Sequence, residues 1–370
     1  MTSDAQQRRR IGFFVHHQGT GHARRCEAII EHLPDYDVTI FTADTKSLRL
    51  DRDDINVVQL PDMIGAPARA DGLHQEMTPS VMHCVPLGVT EMRETFGLIT
   101  KWMLETDPHL LFIDVSAELA LLSRVMSVPA IKVRMHGARM DPGHLAAYEA
   151  CAGMLAPYAE EIEQDDYPDW ARRKTCYTGG LCKHEVKVPE KMEARKRLKL
   201  SPDQKVIVAI SGGGGKGTPY ASLTMGCRAL PDAQWFALGP IFKEGHETDF
   251  ANLTVPGWVD NPLDYLAAAD VVIASAGDNT VHEIAQIGRP FLCIPEWRYF
   301  DEQDCKADML EKVGAAVVAK QWPGNYETWR SLIAETEAMD IQGQKLLYSR
   351  DAAKVSAEFI KETVERLWQQ

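Results

Sequence analysis

Residues 16 to 30, HHQGTGHARRCEAII, gather three histidines, two glycines and two arginines between an apolar run and an amphipathic pattern. A strand, a glycine turn and a helix start in that order present unpaired backbone amides and the positive end of a helix dipole, an arrangement suited to an anion. Gly19 and Gly21 give the turn its freedom and let a substrate approach the backbone. His22 stands at the helix start with Arg24 and Arg25 close by. Positive neighbours disfavour the imidazolium, so the ring is expected to be neutral near pH 7 and fit to act as a general base. The alternative is a ring that hydrogen-bonds the loop backbone. His16 and His17 adjoin at a strand end, where one of a pair must point away from any site. A zinc site built from the three histidines is disfavoured, because the sequence offers no evident second shell for it.

Two further residues of the same half follow apolar runs. Asp114 ends HLLFIDV and is a reserve base; His136, in RMHGAR, would position an acceptor or serve as an ordinary loop residue.

Two more glycine loops follow strands. SGGGGKGT contains Gly213 and Gly214 and looks like a phosphate loop until the spacing is counted: Ile210 stands where the first glycine is needed, and Gly217 where Ser or Thr should follow Lys216. The opening loop fails the dinucleotide fingerprint in the same way, with Arg24 in place of the third glycine. The third loop, SAGDNTVHEIAQIGRP, has Gly277 as its third residue and brings Asn279 and Thr280 to a helix start, with Glu283 three residues beyond Thr280. Thr280 and Glu283 read either as a capping box or as a helix whose carboxylate accepts from vicinal sugar hydroxyls.

These loops need strands and helices to hold them. IGFFVH, DVTIFT (37–42), HLLFIDV (109–115) and AIKVRM (130–135) read as strands alternating with helical patterns, the grammar of a parallel sheet with crossover helices. From about 178 to 204 the composition turns polar and lysine-rich, and beyond it the grammar restarts with KVIVAIS, AQWFALG, DVVIAS, RPFLCIP and GAAVVAK. Two α/β domains are therefore expected, 1–182 and 183–348. A last segment, 349–370, should form a helix packing back on the protein with Ala353, Val355, Phe359, Ile360, Val364 and Leu367 as its apolar stripe. A chain of 370 residues is long enough for two cores.

Composition narrows the partners. With 45% hydrophobic and 25% charged residues the chain is globular, and a net charge of -13 argues against nucleic acid. The apolar stretch after MTSDAQQRRR is too short for a signal-peptide core and no run approaches a membrane span, so a cytoplasmic location is expected. Eight cysteines without a CxxC pair read as core residues of a reducing compartment. DRDD at 51–54 holds an isolated DxD but reads as a solvated charge run.

GTGHARR, VIVAISGGGGKG, the stretch from PGWVDN to FLCIP and DEQDCKADMLEKVGAA together resemble the glycosyltransferases of family 28 over nearly the whole chain. The resemblance implies an α/β GT-B fold, two Rossmann-like doubly wound domains facing across a cleft, and a sugar transferred from a UDP-sugar donor to an acceptor hydroxyl with inversion. Acceptor binding falls to the N-terminal domain and donor binding to the C-terminal one. By position, Gly213, Gly214, Gly277, Asn279 and Thr280 would hold the diphosphate and Glu283 the ribose. Trp258 and Val259 would read uracil, and Gln303 would contact sugar hydroxyls. Asp304 departs from the family pattern, leaving the sugar's identity open. No cofactor or metal is implied: amides and helix dipoles can stabilise a departing diphosphate. GTGHARRC is also similar to nucleotide-sugar hydrolases of pseudaminic acid synthesis, and a non-catalytic nucleotide-sugar-binding protein is a third reading. The expected partners are a nucleotide sugar and an acceptor of unknown identity, with peripheral membrane contact if the acceptor is lipid-linked.

Overall fold

The structure, a computed structural model, describes residues 8–50, 52–181, 187–212, 215–245 and 247–369. The N-terminal half is built on seven parallel strands: β1 (Arg9–Phe14), β2 (Tyr36–Thr42), β3 (Asn56–Gln59), β4 (Leu110–Ile113), β5 (Ala130–Val133), β6 (Gly153–Ala156) and β7 (Thr175–Tyr177), in the order β3-β2-β1-β4-β5-β6-β7. Helices cover both faces, so strands such as β4 are buried throughout and read as continuous apolar runs. Gly12 is required on β1 because a Cβ there would lie 2.6 Å from the ring of Trp102 on the helix Thr90–Thr106.

The second half repeats the plan with β8 (Val206–Ile210), β9 (Thr218–Pro219), β10 (Gln234–Leu238), β11 (Ile241–Phe242), β12 (Leu253–Gly257), β13 (Val271–Ala274), β14 (Phe291–Cys293) and β15 (Val317–Val318). Its main sheet runs β12-β10-β8-β13-β14-β15, all parallel, while β9 and β11 pair separately. Counted in chain order, the first six strands of each main sheet follow the doubly wound order 3-2-1-4-5-6.

That order places a topological switch between β1 and β4 in one sheet and between β8 and β13 in the other. Ligands of open α/β sheets bind beyond the carboxyl ends of the strands at such switches. The loops there begin at Val15, Asp114, Ser211 and Ser275, and all four are the glycine or acidic segments singled out above.

The two halves are packed together. Ala156, Tyr158 and Ile162 of the first belong to the same buried cluster as Val206, Leu266 and Ala276 of the second. The closing helix Ala352–Trp368 crosses back and lays Ala352, Ala357, Ile360 and Val364 on the N-terminal core. Its buried seam differs from the expected stripe: Ser356, Ala357 and Thr363 are inside, whereas Val355 and Leu367 are 38% and 39% exposed. Close approach favours small residues at this seam, and Phe359 meets Gly153, where a Cβ would come within 2.7 Å of the ring. The connection between the halves near residue 182 lies outside the described residues.

Candidate active site

The helix Thr20–Glu31 begins directly beyond β1, with Gly19 as its N-cap at φ 88° and no side chain capping it. A residue with a Cβ would be strained at that φ, which explains the glycine. One turn into the helix, His22 and Arg25 lie three residues apart and share a face. Both reach Asp114, which emerges from the end of the neighbouring strand β4 with its side chain fully buried. Arg25 Nη2 donates to Asp114 Oδ1 at 2.6 Å, and His22 Nδ1 stands 2.6 Å from Oδ2. Arg25 Nη2 is also 3.0 Å from His22 Nδ1. Nδ1 therefore faces a donor, the guanidinium, on one side and an acceptor, Oδ2, on the other; Oδ2 has no other hydrogen-bond partner among the described residues, and the tautomer protonated on Nδ1 supplies one and leaves Nε2 as an acceptor on the far side of the ring.

Burial alone would push the Asp114 carboxyl up, but Arg25, followed by His22, outweighs it and holds the group well below the usual carboxylate range. Asp114 is thus a permanent anion shielded from the cleft. The reading of it as a base in its own right is corrected: it orients His22. Arg24, expected near His22, instead pairs with Glu27 within its own helix.

The other histidines of the opening stretch lie close without sharing a ligand site. The His16 ring is 5.0 Å from that of His22 and 5.4 Å from that of His17. His16 Nδ1 accepts from Gln18 N, whereas His17 Nε2 is 3.0 Å from Asp62. Burial, with His22 adding to it, lowers His16 to about 4. His136 does not face the cleft. It is 2% exposed, its Nε2 is 2.7 Å from the Ile162 carbonyl, and burial together with Lys306 lowers it to about 3. The acceptor-positioning role expected for it is corrected to a structural one.

Across the seam, β13 leads into the helix Asp278–Ile287, whose N-cap is Gly277 and which has no side-chain cap hydrogen bond. Asn279 and Thr280 are therefore inside the first turn, and the capping-box reading of Thr280 with Glu283 is overturned. An uncapped N-terminus leaves its first amides for a ligand. Asn279 packs against the other glycine turn: a Cβ on Gly21 would meet Asn279 Nδ2 at 3.2 Å. Glu283 is one turn beyond Asn279 on the same face and is half-buried. Two uncapped helix starts, one from each domain, thus meet nose to nose.

A chain of charges joins them. Arg25 Nη1 is 3.5 Å from Asp278 Oδ2, and Asp278 Oδ1 accepts from the buried Lys306. Burial opposes ionisation of Asp278, but Lys306, His282 and Arg25 keep its carboxyl well below the ordinary range. Arg25 was singled out from the sequence only as a positive neighbour of His22, and Asp278 and Lys306 were not singled out at all. The i to i+3 spacing of His22 and Arg25 carried a local signal for the first; the other two meet only through the tertiary fold.

Gln303 is 4% exposed, and its Oε1 accepts from Ala276 N at 3.2 Å and Glu296 N at 2.8 Å. It ties the third loop to the segment after β14, so its oxygen is committed to backbone rather than offered to a sugar. Trp258, just past β12, is 70% exposed, while Val259 packs into the C-terminal core. Gly213 and Gly214 lie outside the described residues; next to them, a Cβ on Gly215 would fall 1.9 Å from Glu296 Oε2. In the 51–54 segment Arg52 clasps Asp54 at 2.9 and 3.0 Å.

The glycosyltransferase family 28 C-terminal domain matches residues 238–367. The UDP-N-acetylglucosamine--N-acetylmuramyl-(pentapeptide) pyrophosphoryl-undecaprenol N-acetylglucosamine transferase of Clostridioides difficile (strain 630) is 26% identical over 161 residues, 41% of this chain and 39% of its own length. The protein of that name from Bacillus subtilis (strain 168) is 26% identical over 204 residues, 52% of this chain and 51% of its own. The matched stretch thus spans about two fifths to one half of these relatives. Among solved structures, the glycotransferase of kitacinnamycin superposes with a TM-score of 0.66 at 15% identity, covering 96% of this chain and 98% of that one. MurG of Acinetobacter baumannii gives 0.62 at 15% identity, covering 98% and 100%. The two doubly wound domains packed in one chain share the GT-B fold of these structural neighbours, and residues 238–367 are similar to the glycosyltransferase family 28 C-terminal domain.

Proposed function

We propose that the protein transfers a sugar from a UDP-sugar to an acceptor hydroxyl, with His22 as the general base. The observation that carries this reading is the placement of a carboxylate-oriented histidine directly opposite an uncapped helix start in the family 28 domain. In this reading the helix Asp278–Ile287 receives the diphosphate at its first amides, and Glu283 accepts from the ribose hydroxyls. Trp258 and Val259 hold the uracil. The acceptor enters along the Gly19–Gly21 turn, its hydroxyl donates to His22 Nε2, and the oxygen attacks the anomeric carbon from the face opposite the departing UDP. The configuration inverts, and Asp114 stabilises the imidazolium that forms. Charge developing on UDP is met by the helix dipole and amides, so this step proceeds without a metal.

The donor named in the relatives, UDP-N-acetylglucosamine, is the first to try, with lipid-linked and soluble acceptors in parallel. No described helix is long and apolar enough to cross a membrane, so a lipid-linked acceptor would be met at the surface. The test is UDP release from a panel of UDP-sugars with and without acceptor and EDTA. Acceptor-dependent, EDTA-insensitive release is expected, falling about 10²- to 10⁴-fold in His22→Ala. Equal release without acceptor would replace transfer by hydrolysis, and no binding of any UDP-sugar would remove the donor assignment.

A further inference from the structure

We propose that His83, Asp141 and His144 form a binding site for a divalent first-row transition cation, Zn²⁺ foremost, on the acceptor-side domain. One ligand-capable atom from each residue falls within 4.8 Å of the others. His144 is 1% exposed and stands in the first turn of the helix Pro142–Ala150, whose N-cap is Asp141. The Asp141 carboxylate accepts from His144 N at 3.1 Å through one oxygen and from the His144 ring at Nδ1 through the other. That cap holds the two groups together, and a cation taking His144 Nδ1 and Asp141 as ligands would displace the proton they share and release it to solvent.

Capping accounts for Asp141 and His144 but not for His83, which arrives from a distant loop and sets its ring 4.1 Å from that of His144. The loop is itself pinned, since Cys84 N donates to Glu118 Oε1 at 2.6 Å. Two imidazoles and one carboxylate are a donor set that suits zinc and its neighbours, whereas calcium and magnesium prefer all-oxygen shells. Tetrahedral bonds of about 2.0–2.1 Å require donors roughly 3.4 Å apart, so an ion would draw the cluster in by on the order of 1 Å, which a loop histidine can supply.

The surroundings are consistent with a cation. Asp141 and Glu118 supply negative charge; of the two nearby cations, Arg139 is paired with Glu302 at 2.7 Å and Lys132 donates to the Val133 carbonyl. The Phe300 ring, reaching over from the C-terminal domain, lies 4.9 Å from His83 and 5.4 Å from His144 and covers one side of the cluster, while the Asp141 side chain stays open to solvent. A fourth position remains for water or a substrate oxygen. The cluster is separate from the helix start assigned to the diphosphate, so cation binding here and a metal-free transfer step are independent statements.

The experiment uses untagged full-length protein, stripped with EDTA and desalted, then titrated with Zn²⁺ and, separately, Co²⁺. Bound metal is counted by mass spectrometry and Co²⁺ geometry is read from its visible spectrum. One equivalent of metal and a four-coordinate Co²⁺ spectrum are expected. His83→Ala, on the loop, and Asp141→Asn, which keeps the helix cap, should each weaken Zn²⁺ binding by about 100-fold, while His74→Ala should bind as wild type. Failure of the wild type to retain stoichiometric metal, or wild-type binding by a folded His83→Ala, overturns the proposal.

Discussion

At the scale of the residue, the proposed chemistry turns on which proton His22 holds. A neutral imidazole has two tautomers, and only one leaves Nε2 as a base. Asp114 selects it by lying 2.6 Å from Nδ1, and Arg25 fixes the carboxylate in turn. Asp114→Asn keeps the shape but can present its amide N–H to Nδ1 and reverse the tautomer. The expected result is a fall in kcat of about 10²- to 10⁴-fold with the donor KM little changed, measured by steady-state UDP release. A variant with normal kcat would show that His22 needs no orientation. The spacing of His22 in a glycine turn was legible in the sequence because strand, turn and helix start are local. The partnership with Asp114 was not, since it requires β1 and β4 to lie side by side.

At the scale of the element, each site segment is held by contacts that its own sequence does not contain. The turn after β6 is anchored by Glu163, whose side chain is fully buried and accepts from Arg134 at 2.9 Å and from Tyr158 Oη at 2.8 Å. Glu163→Ala leaves the buried guanidinium without its counter-charge, so chemical denaturation should show a loss of about 3–5 kcal/mol. Gly277 offers the opposite case. A Cβ there would meet only Ser275 Oγ at 3.9 Å, so Gly277→Ala should fold with at most about 1 kcal/mol lost. If the diphosphate sits on this helix start, the same substitution raises the donor Kd by calorimetry; an unchanged Kd would move the diphosphate elsewhere. Strand positions were readable from apolar runs, even the short β14 and β15, but β3, β6 and β7 were not singled out.

At the scale of the whole molecule, the seam between the domains is charged and pH-sensitive. His282 is buried, has no hydrogen-bond partner for either ring nitrogen among the described residues, and is lowered to about 3 by burial and then Lys306; His136 is lowered to about 3 for the same two reasons. In the unfolded chain these rings protonate near 6.5, as free histidines do. Below that pH the unfolded state takes up protons that the folded state refuses, so stability should fall steadily as pH drops from about 6.5 towards about 3. Asp114 and Asp278, ionised in the fold, add to the loss only below about 4, where unfolded carboxylates protonate. Thermal melts between pH 7.5 and 5 check this, and His282→Leu, which sacrifices no hydrogen bond, should flatten the slope. A wild-type melting temperature independent of pH in that range would show that these histidines are not buried neutral.

The sequence by itself determined the two α/β halves, the glycine turns at the strand ends and the residues that flank them, because helix and strand periods and turn chemistry are written in neighbouring residues. It also carried the family likeness. The tertiary structure decided what those residues do to one another. It buried Asp114 against His22 and Arg25, withdrew His136 and the Gln303 oxygen into the interior, and put Arg25, Asp278 and Lys306 into a single line across the seam. Such pairings depend on strand order and on the docking of two separately folded sheets. Contacts such as that of Asp114 with Arg25, 89 positions away, or of Asp278 with Arg25, 253 positions away, leave no periodic trace in the chain that makes them.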